Sequence, residues 1–405
     1  MKISTLLERE PFEEIFENTL ESFLASWSGQ AHVVKWEPKA SLNKSSMSQQ
    51  HWYCNPLINS VFVKGVNADV FESINGEYAY NPMKPWRSSI QRLYLFLSQS
   101  KITATKLSKY KVSISPPVEI AENKLIIGGN TKLRIIDLVE EKVYVLLKEG
   151  FDKKYIEKEV FVRAVFPYLP IPRIIEFGDN GKWYSEEYIS GRPPNRLEKA
   201  SGNKLLLQAV KCVHQMLNQT KRSVILSEYV AMLEAEINKG IDKILYMNID
   251  VANDIKIIAA SLSSFLRKSE NQELTLAYCH GDFHQGNIIS NDEVYWILDW
   301  EYSGEKQIGY DLLILLLESR IENGFSARFL KLVNNQLNDF QIKLTDSWPD
   351  LNWRDESIKN RYLMVFLLED LLFYIGESAN NLFYEKADIL ENRCNEIKKI
   401  VTHLL

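Results

Sequence analysis

A chain of 405 residues is longer than one compact core usually holds, so two lobes or two domains are expected. Hydrophobic residues make up 45% and aromatic residues 11%, which excludes a disordered chain. The net charge of −5 provides no global attraction to nucleic acid or to an acidic membrane, so neither partner is expected.

From the N-terminus, Phe12, Ile15, Phe16, Leu20, Phe23 and Leu24 recur at helical spacing and predict a helix over 8–27. Its acidic residues stand where a signal peptide would have an unbroken apolar run. The polar stretch 37–50 predicts a loop and SVFVK at 60–64 a strand. Two prolines in 81–87 argue against regular structure there, and 89–100 is again helical in pattern.

The texture changes near Pro116. Residues 123–150 predict three short strands, with turns at Gly128-Gly129 and Glu140-Glu141. A helix follows over 152–166, with Asp152 as N-cap and Pro167 just past its end. Residues 171–178 and 182–191 read as two more strands. After Pro194 the chain is mostly helical, and its most apolar stretch, 362–376, is interrupted by Glu369 and Asp370 and too short to span a bilayer. The order is therefore a 1–116 extension, a strand-rich lobe over 117–190 with one helix, and a helical lobe over 191–405. This is an α+β pattern. The extension, rich in aromatics such as Trp27, Trp36, Trp52, Tyr53 and Trp86, is expected to pack on the small lobe. Four cysteines (Cys54, Cys212, Cys279 and Cys394) form no CxxC pair and read as buried thiols of a cytoplasmic protein.

Loop and strand interrupt the helical lobe at 278–304, YCHGDFHQGNIISNDEVYWILDWEYSG. Gly281 and Gly286 make the segment around Asp282 and Asn287 a loop, and VYWILD reads as a strand ending at Asp299. If NIIS pairs with YWIL across a turn at Asn291-Asp292, Asn287 and Asp299 reach the same end of a hairpin. Two oxygen-bearing side chains there suit a hard cation such as Mg2+. Asp282 beside them suits proton acceptance from a hydroxyl, and together these are the parts phosphoryl transfer needs. No HExxH or Cys/His spacing supports zinc.

HGDFHQGNIIS followed by ILDWE resembles the aminoglycoside phosphotransferase and choline kinase families, distant relatives of the protein kinases. The resemblance implies a protein-kinase-like fold of two lobes, with the catalytic loop at 280–287. It implies transfer of the γ-phosphate of ATP, with Mg2+, to a hydroxyl of a small molecule: an aminoglycoside, an amino alcohol or a sugar. It also leaves open a nucleotide-binding pseudokinase, or a kinase of a protein or a surface-polymer sugar. Asp282 is then the base, and Asn287 and Asp299 the metal ligands. His280 supports the loop, and Asp311 braces it from a helix start. His284 either braces the loop or approaches substrate. Glu301 either binds a polar substrate or pairs within the loop. Glu301, Glu305 and Glu318 are candidates to line a cationic acceptor's site. In the small lobe, Lys148 corresponds to the lysine that holds ATP phosphates. Glu159 lies on a mainly apolar helix face and needs a partner, which Lys148 would supply; Glu157 is the competing carboxylate. Backbone amides of Gly129, Asn130 and Thr131 would cover the phosphates. The stretch from Glu187 to Ile189 would be the hinge that meets adenine.

Overall fold

The computed structural model describes residues 2–38, 49–71, 85–100, 102–269, 271–291, 294–321, 323–348, 354–380, 382–384 and 388–404. Residues 39–48 of the expected loop over 37–50, residues 81–84 of the proline-rich stretch and the turn residue Asp292 lie outside them, while the two ends of that expected loop belong to strands.

The periodic run near the N-terminus is two helices, α1 (Ile3–Arg9) and α2 (Phe12–Ser28), and not one. Pro11 is the physical reason: it has no amide hydrogen and drives the preceding residue out of the helical region. Glu10 is accordingly extended, at φ −145° and ψ 162°. Strands β1 (Val33–Pro38), β2 (Gln50–Asn55) and β3 (Ser60–Val63) follow, then α3 (Pro85–Gln99), α4 (Ala104–Leu107) and β4 (Tyr110–Ser115). Of these strands the sequence predicts only β3. The others are short, mix polar with apolar residues, and are defined by their partners.

The expected strands of the small lobe form as β5 (Lys124–Gly128), β6 (Lys132–Asp137) and β7 (Lys142–Leu147). Then come α5 (Lys154–Val165), β8 (Ile174–Phe177) and β9 (Trp183–Glu187). All nine strands make one sheet of order β1-β4-β2-β3-β5-β6-β7-β9-β8. Ser60 and Val61 of β3 pair with Ile127 and Ile126 of β5, so the N-terminal strands continue the sheet and cover what would be an open edge. On one sheet face lies α2. Its Phe23 ring is 5.5 Å from Tyr144 and 5.2 Å from Trp183, and its Ser26 accepts the Trp183 indole N–H at 3.1 Å.

The remaining elements are α6 (Lys199–Thr220), β10 (Arg222–Ile225), α7 (Leu226–Leu245), α8 (Ile249–Arg267), β11 (Glu273–Cys279), β12 (Ile288–Ser290) and β13 (Tyr295–Ile297). After them come β14 (Gly304–Gln307), α9 (Tyr310–Leu316), α10 (Phe325–Val333), α11 (Asp339–Asp346), α12 (Glu356–Ser378) and α13 (Asp388–Leu404). Contacts divide the chain into two compact units, residues 1–160 with 171–192, and residues 161–170 with 193–405. Strands dominate the first and helices the second, the α+β arrangement the sequence predicts. Among the described residues no helix is long and apolar enough to cross a membrane.

Candidate active site

The loop 280–287 leaves β11 through a turn that only glycine fits. Gly281 has φ +84°, and a Cβ there would lie 2.1 Å from the Tyr302 carbonyl oxygen. Asp311, buried at the start of α9, accepts hydrogen bonds from the His280 and Gly281 amides at 2.7 and 2.9 Å. Burial pushes the Asp311 carboxyl up, against the pull of His280 and these two amides. His280 donates from Nε2 to the Leu298 carbonyl at 2.9 Å, while its Nδ1 accepts from the Asp282 amide at 3.2 Å. Both ring nitrogens are thus committed to holding the loop, and the ring packs 4.4 Å from Trp300.

The hairpin β12–β13 pairs Ile288 with Ile297, and the Leu298 amide donates to the Asn287 carbonyl at 2.8 Å. Asn287 and Leu298 continue the register, and Asp299 follows in the left-handed region at φ 61°, ψ 60°. Asn287 donates from Nδ2 to the Asp282 carbonyl at 3.0 Å and, more weakly, to its Oδ2 at 3.4 Å. The Asn287 amide oxygen is the candidate cation ligand on this side chain. With the Asp299 carboxylate, the set is all oxygen and suits magnesium. Among the described residues no cluster of three or more His, Cys, Asp or Glu could hold a metal. A site of one amide and one carboxylate leaves the remaining positions to water and phosphate oxygens, which magnesium prefers. His284 accepts the Gly286 amide on Nδ1 at 3.0 Å and sets Nε2 3.5 Å from Asp282 Oδ2, a bracing position. Glu301 is buried in the turn of residues 300–302.

Sequence reasoning misses Arg320. Its Nε donates to Asp282 Oδ1 at 2.6 Å and its Nη2 to the Gly281 carbonyl at 3.1 Å. The guanidinium lies 3.8 Å from the centre of the Phe373 ring and 3.4 Å from Asp370 Oδ1. Asp370 in turn holds Arg393 at 2.6 Å and Ser319 at 3.0 Å. Burial pushes the Asp282 carboxyl up, but Arg320 and His284 outweigh it and hold the group well below the usual carboxylate range. The signals in the sequence are a lone arginine closing the apolar run 310–317 and an aspartate inside the apolar stretch 362–376. Neither has a recognisable spacing to the loop.

In the first unit the expected ion pair is corrected. Glu159 holds Lys132, Nζ to Oε1 2.9 Å, and Lys148 is bound to Glu10. The physical reason is strand parity, since neighbouring residues of a strand point to opposite faces. The turn at Gly129, Asn130 and Thr131 faces inward. Carbonyls of Asn130 and Gly129 accept from Lys148 at 2.7 and 3.4 Å, and Arg9 donates to the Asn130 carbonyl at 3.0 Å. At the expected hinge the Glu187 amide donates to the Arg173 carbonyl at 3.0 Å and the Tyr188 amide to the Glu141 carbonyl at 2.9 Å, with Ile189 following.

Of the acidic candidates, Glu305 is held by Arg222 at 2.5 Å and serves that exposed pair. Glu318 lines a cavity of about 460 Å³ together with Gln285 of the loop, Leu206, Leu316, Lys331 and Phe340.

Residues 156–340 match the family model described as choline/ethanolamine kinase, and this stretch contains the loop, Asn287 and Asp299. The match bears out the resemblance read from those residues. No curated protein matches the chain. Among solved structures, a choline kinase from Streptococcus pneumoniae aligns at 14% identity, covering 71% of this chain and 92% of that one, with a TM-score of 0.44. A choline kinase from Cryptosporidium parvum aligns at 14% over 70% and 90%, with a TM-score of 0.46. An ethanolamine kinase from Plasmodium vivax aligns at 14% over 82% and 93%, with a TM-score of 0.44.

Proposed function

We propose, taking residues 156–340 as choline/ethanolamine-kinase-like, that the chain is a small-molecule kinase moving the γ-phosphate of ATP to an acceptor hydroxyl with Mg2+. One observation supports this reading: Asn287 is hydrogen-bonded to Asp282 within the loop, its carbonyl accepts the amide of Leu298, the residue before Asp299, and Asp311 and His280 hold the loop.

Asn287 Oδ1 and the Asp299 carboxylate would hold magnesium, which when bound neutralises charge on the transferring phosphate. Asp282, ionised beside Arg320, accepts a hydrogen bond from the acceptor hydroxyl and aims its oxygen. A loose transition state asks little basicity of that carboxylate early on, so a carboxylate weakened by an arginine still suits the task. The proton passes to Asp282 as the acceptor oxygen bonds to the γ-phosphorus and the bond from that phosphorus to the bridging oxygen breaks, releasing ADP. Arg320 is a positioning residue, since it reaches the reaction through Asp282. The cavity beside Gln285, with leucines and with Glu318 and Lys331, suits a compact polar acceptor such as an amino alcohol or a sugar.

The Arg320–Asp282 contact also favours a second reading, a nucleotide-binding protein without turnover. A panel of amino alcohols, aminoglycosides and sugars, read by ATP consumption with and without magnesium, separates the two. Magnesium-dependent turnover with at least one acceptor, lost in Asp299→Ala, is the expected result. ATP binding with no acceptor-dependent turnover would establish the second reading.

A further inference from the structure

We infer that the outer face of α3 is a docking surface for an anionic lipid membrane, a role independent of the phosphotransferase reading. The helix packs within the first unit with its apolar side outward. The Tyr94 hydroxyl donates to Oδ1 of Asn55, at the end of β2, at 3.2 Å, and Asn55 Nδ2 donates to the Ser98 hydroxyl at 3.3 Å. Leu95 and Ser98 are buried. The inward side of α3 is therefore held by the hydrogen bonds of Tyr94 and Ser98, with Leu95 beside them.

Trp86, Ile90, Leu93 and Phe96 recur at helical spacing and so share the other side of the helix. They are 57%, 56%, 58% and 70% exposed, and Ile102, just past the end of the helix, is 76% exposed. A surface helix ordinarily turns such a stripe to the core and its polar side to water. An apolar row left on the surface, as here, marks a place where an apolar partner sits.

Charge identifies the partner. The net charge of −5 gives no global attraction to an acidic surface, but charge is unevenly spread along the chain. Residues 78–118 contain seven lysines and arginines and no aspartate or glutamate. Of these, Arg92 on α3 and Lys106 and Lys109 after it are exposed, while Lys111 is paired with Glu37 at 3.1 Å. At physiological salt a charge acts over about 8 Å, so a nearby surface meets this segment as positive whatever the rest of the chain carries. Tryptophan, phenylalanine and leucine beside basic residues are what an interfacial helix presents to anionic lipid. Two other occupants fit less well. A second copy of the chain, docked on the same face about a two-fold axis, would bring the basic residues of both copies together. A partner protein needs about 800 Å² on each side in a standard interface, and four side chains a little over half exposed offer on the order of 400 Å². A fluid bilayer needs no matching groove, because each side chain enters it by its own apolar area.

The test is co-sedimentation of the full chain with vesicles of phosphatidylcholine alone and of phosphatidylcholine with about one-third phosphatidylserine. Wild type is expected to bind the phosphatidylserine vesicles about tenfold or more tighter than the neutral ones, and to lose that margin in about 1 M salt. Leu93→Ser combined with Phe96→Ser is expected to weaken binding to the anionic vesicles about tenfold or more, and Arg92→Glu about tenfold. All three side chains are exposed, so thermal melting of both variants should stay close to wild type. If the serine variant fails to fold, Arg92→Glu carries the test. Sedimentation velocity without lipid reads self-association. A dimer that the serine variant dissolves would give the face to a second copy and overturn the inference. A wild-type chain that binds neither vesicle would leave the face to a partner protein and overturn it too. So would equal binding to both vesicles, or binding unchanged in both folded variants.

Discussion

On the proposed reading, Asp282 is where the chemistry is most exposed to a single change. Asp282→Asn keeps the shape and the Asn287 contact but removes the charge that Arg320 neutralises. Nucleotide affinity should change little and kcat should fall by about two orders of magnitude, the range for losing a positioned base. Nucleotide titration and single-turnover transfer on the variant check this; near-normal transfer would remove the proton-accepting role. Arg320 acts one contact further out. Arg320→Ala frees Asp282 to rotate and leaves Asp370 to Arg393, so kcat should fall about tenfold at unchanged ATP affinity, measured by steady-state kinetics in both substrates. The candidate residues that the loop and hairpin carry were legible because their spacing is local: Asp282, Asn287 and Asp299 lie within 18 residues of one another. Arg320 was not, because a 38-residue separation closes its contact with Asp282.

At the scale of elements, the turn between β11 and the loop is the narrowest point. An alanine at 281 would meet both the Tyr302 carbonyl, 2.1 Å from its Cβ, and a backbone at φ +84°. Gly281→Ala should cost about 3 kcal/mol in urea unfolding or displace the loop, with transfer down by about two orders of magnitude. Wild-type activity and stability together would show that the turn adapts. The break between α1 and α2 has an element-scale consequence as well. Pro11 extends the backbone at Glu10 and so delivers its carboxylate to Lys148, 138 residues away in sequence. Helical periodicity alone runs through Pro11 and predicts one helix; the missing amide hydrogen of proline is what divides it.

For the whole molecule, one buried acid of α12, Glu369, should make stability depend on pH. Burial raises the Glu369 carboxyl from an ordinary 4.5 to about 7, against the pull of Lys306, the Tyr229 hydroxyl and the Gln307 amide. The folded chain then binds more protons than the unfolded one between about 4.5 and 7, so stability falls as pH rises through that window. The loss from this group approaches about 3 kcal/mol above neutrality. Glu369→Gln keeps an acceptor for Tyr229 and Gln307 and should flatten the slope, measured as unfolding free energy from pH 4 to 8. An unchanged slope would assign the dependence to other groups. The amino-acid sequence by itself determined the α+β order, the three central strands, the hairpin and the loop carrying Asp282, Asn287 and Asp299. These rest on periodicity, turn residues and spacing within a few residues, which short-range sterics enforce. Tertiary structure alone decided that the N-terminal strands join the small-lobe sheet, that Arg320 holds Asp282, and that Glu159 takes Lys132. Strand pairing and buried charge pairing join residues far apart in the chain, and a shift of one residue along a strand reverses the face a lysine points to.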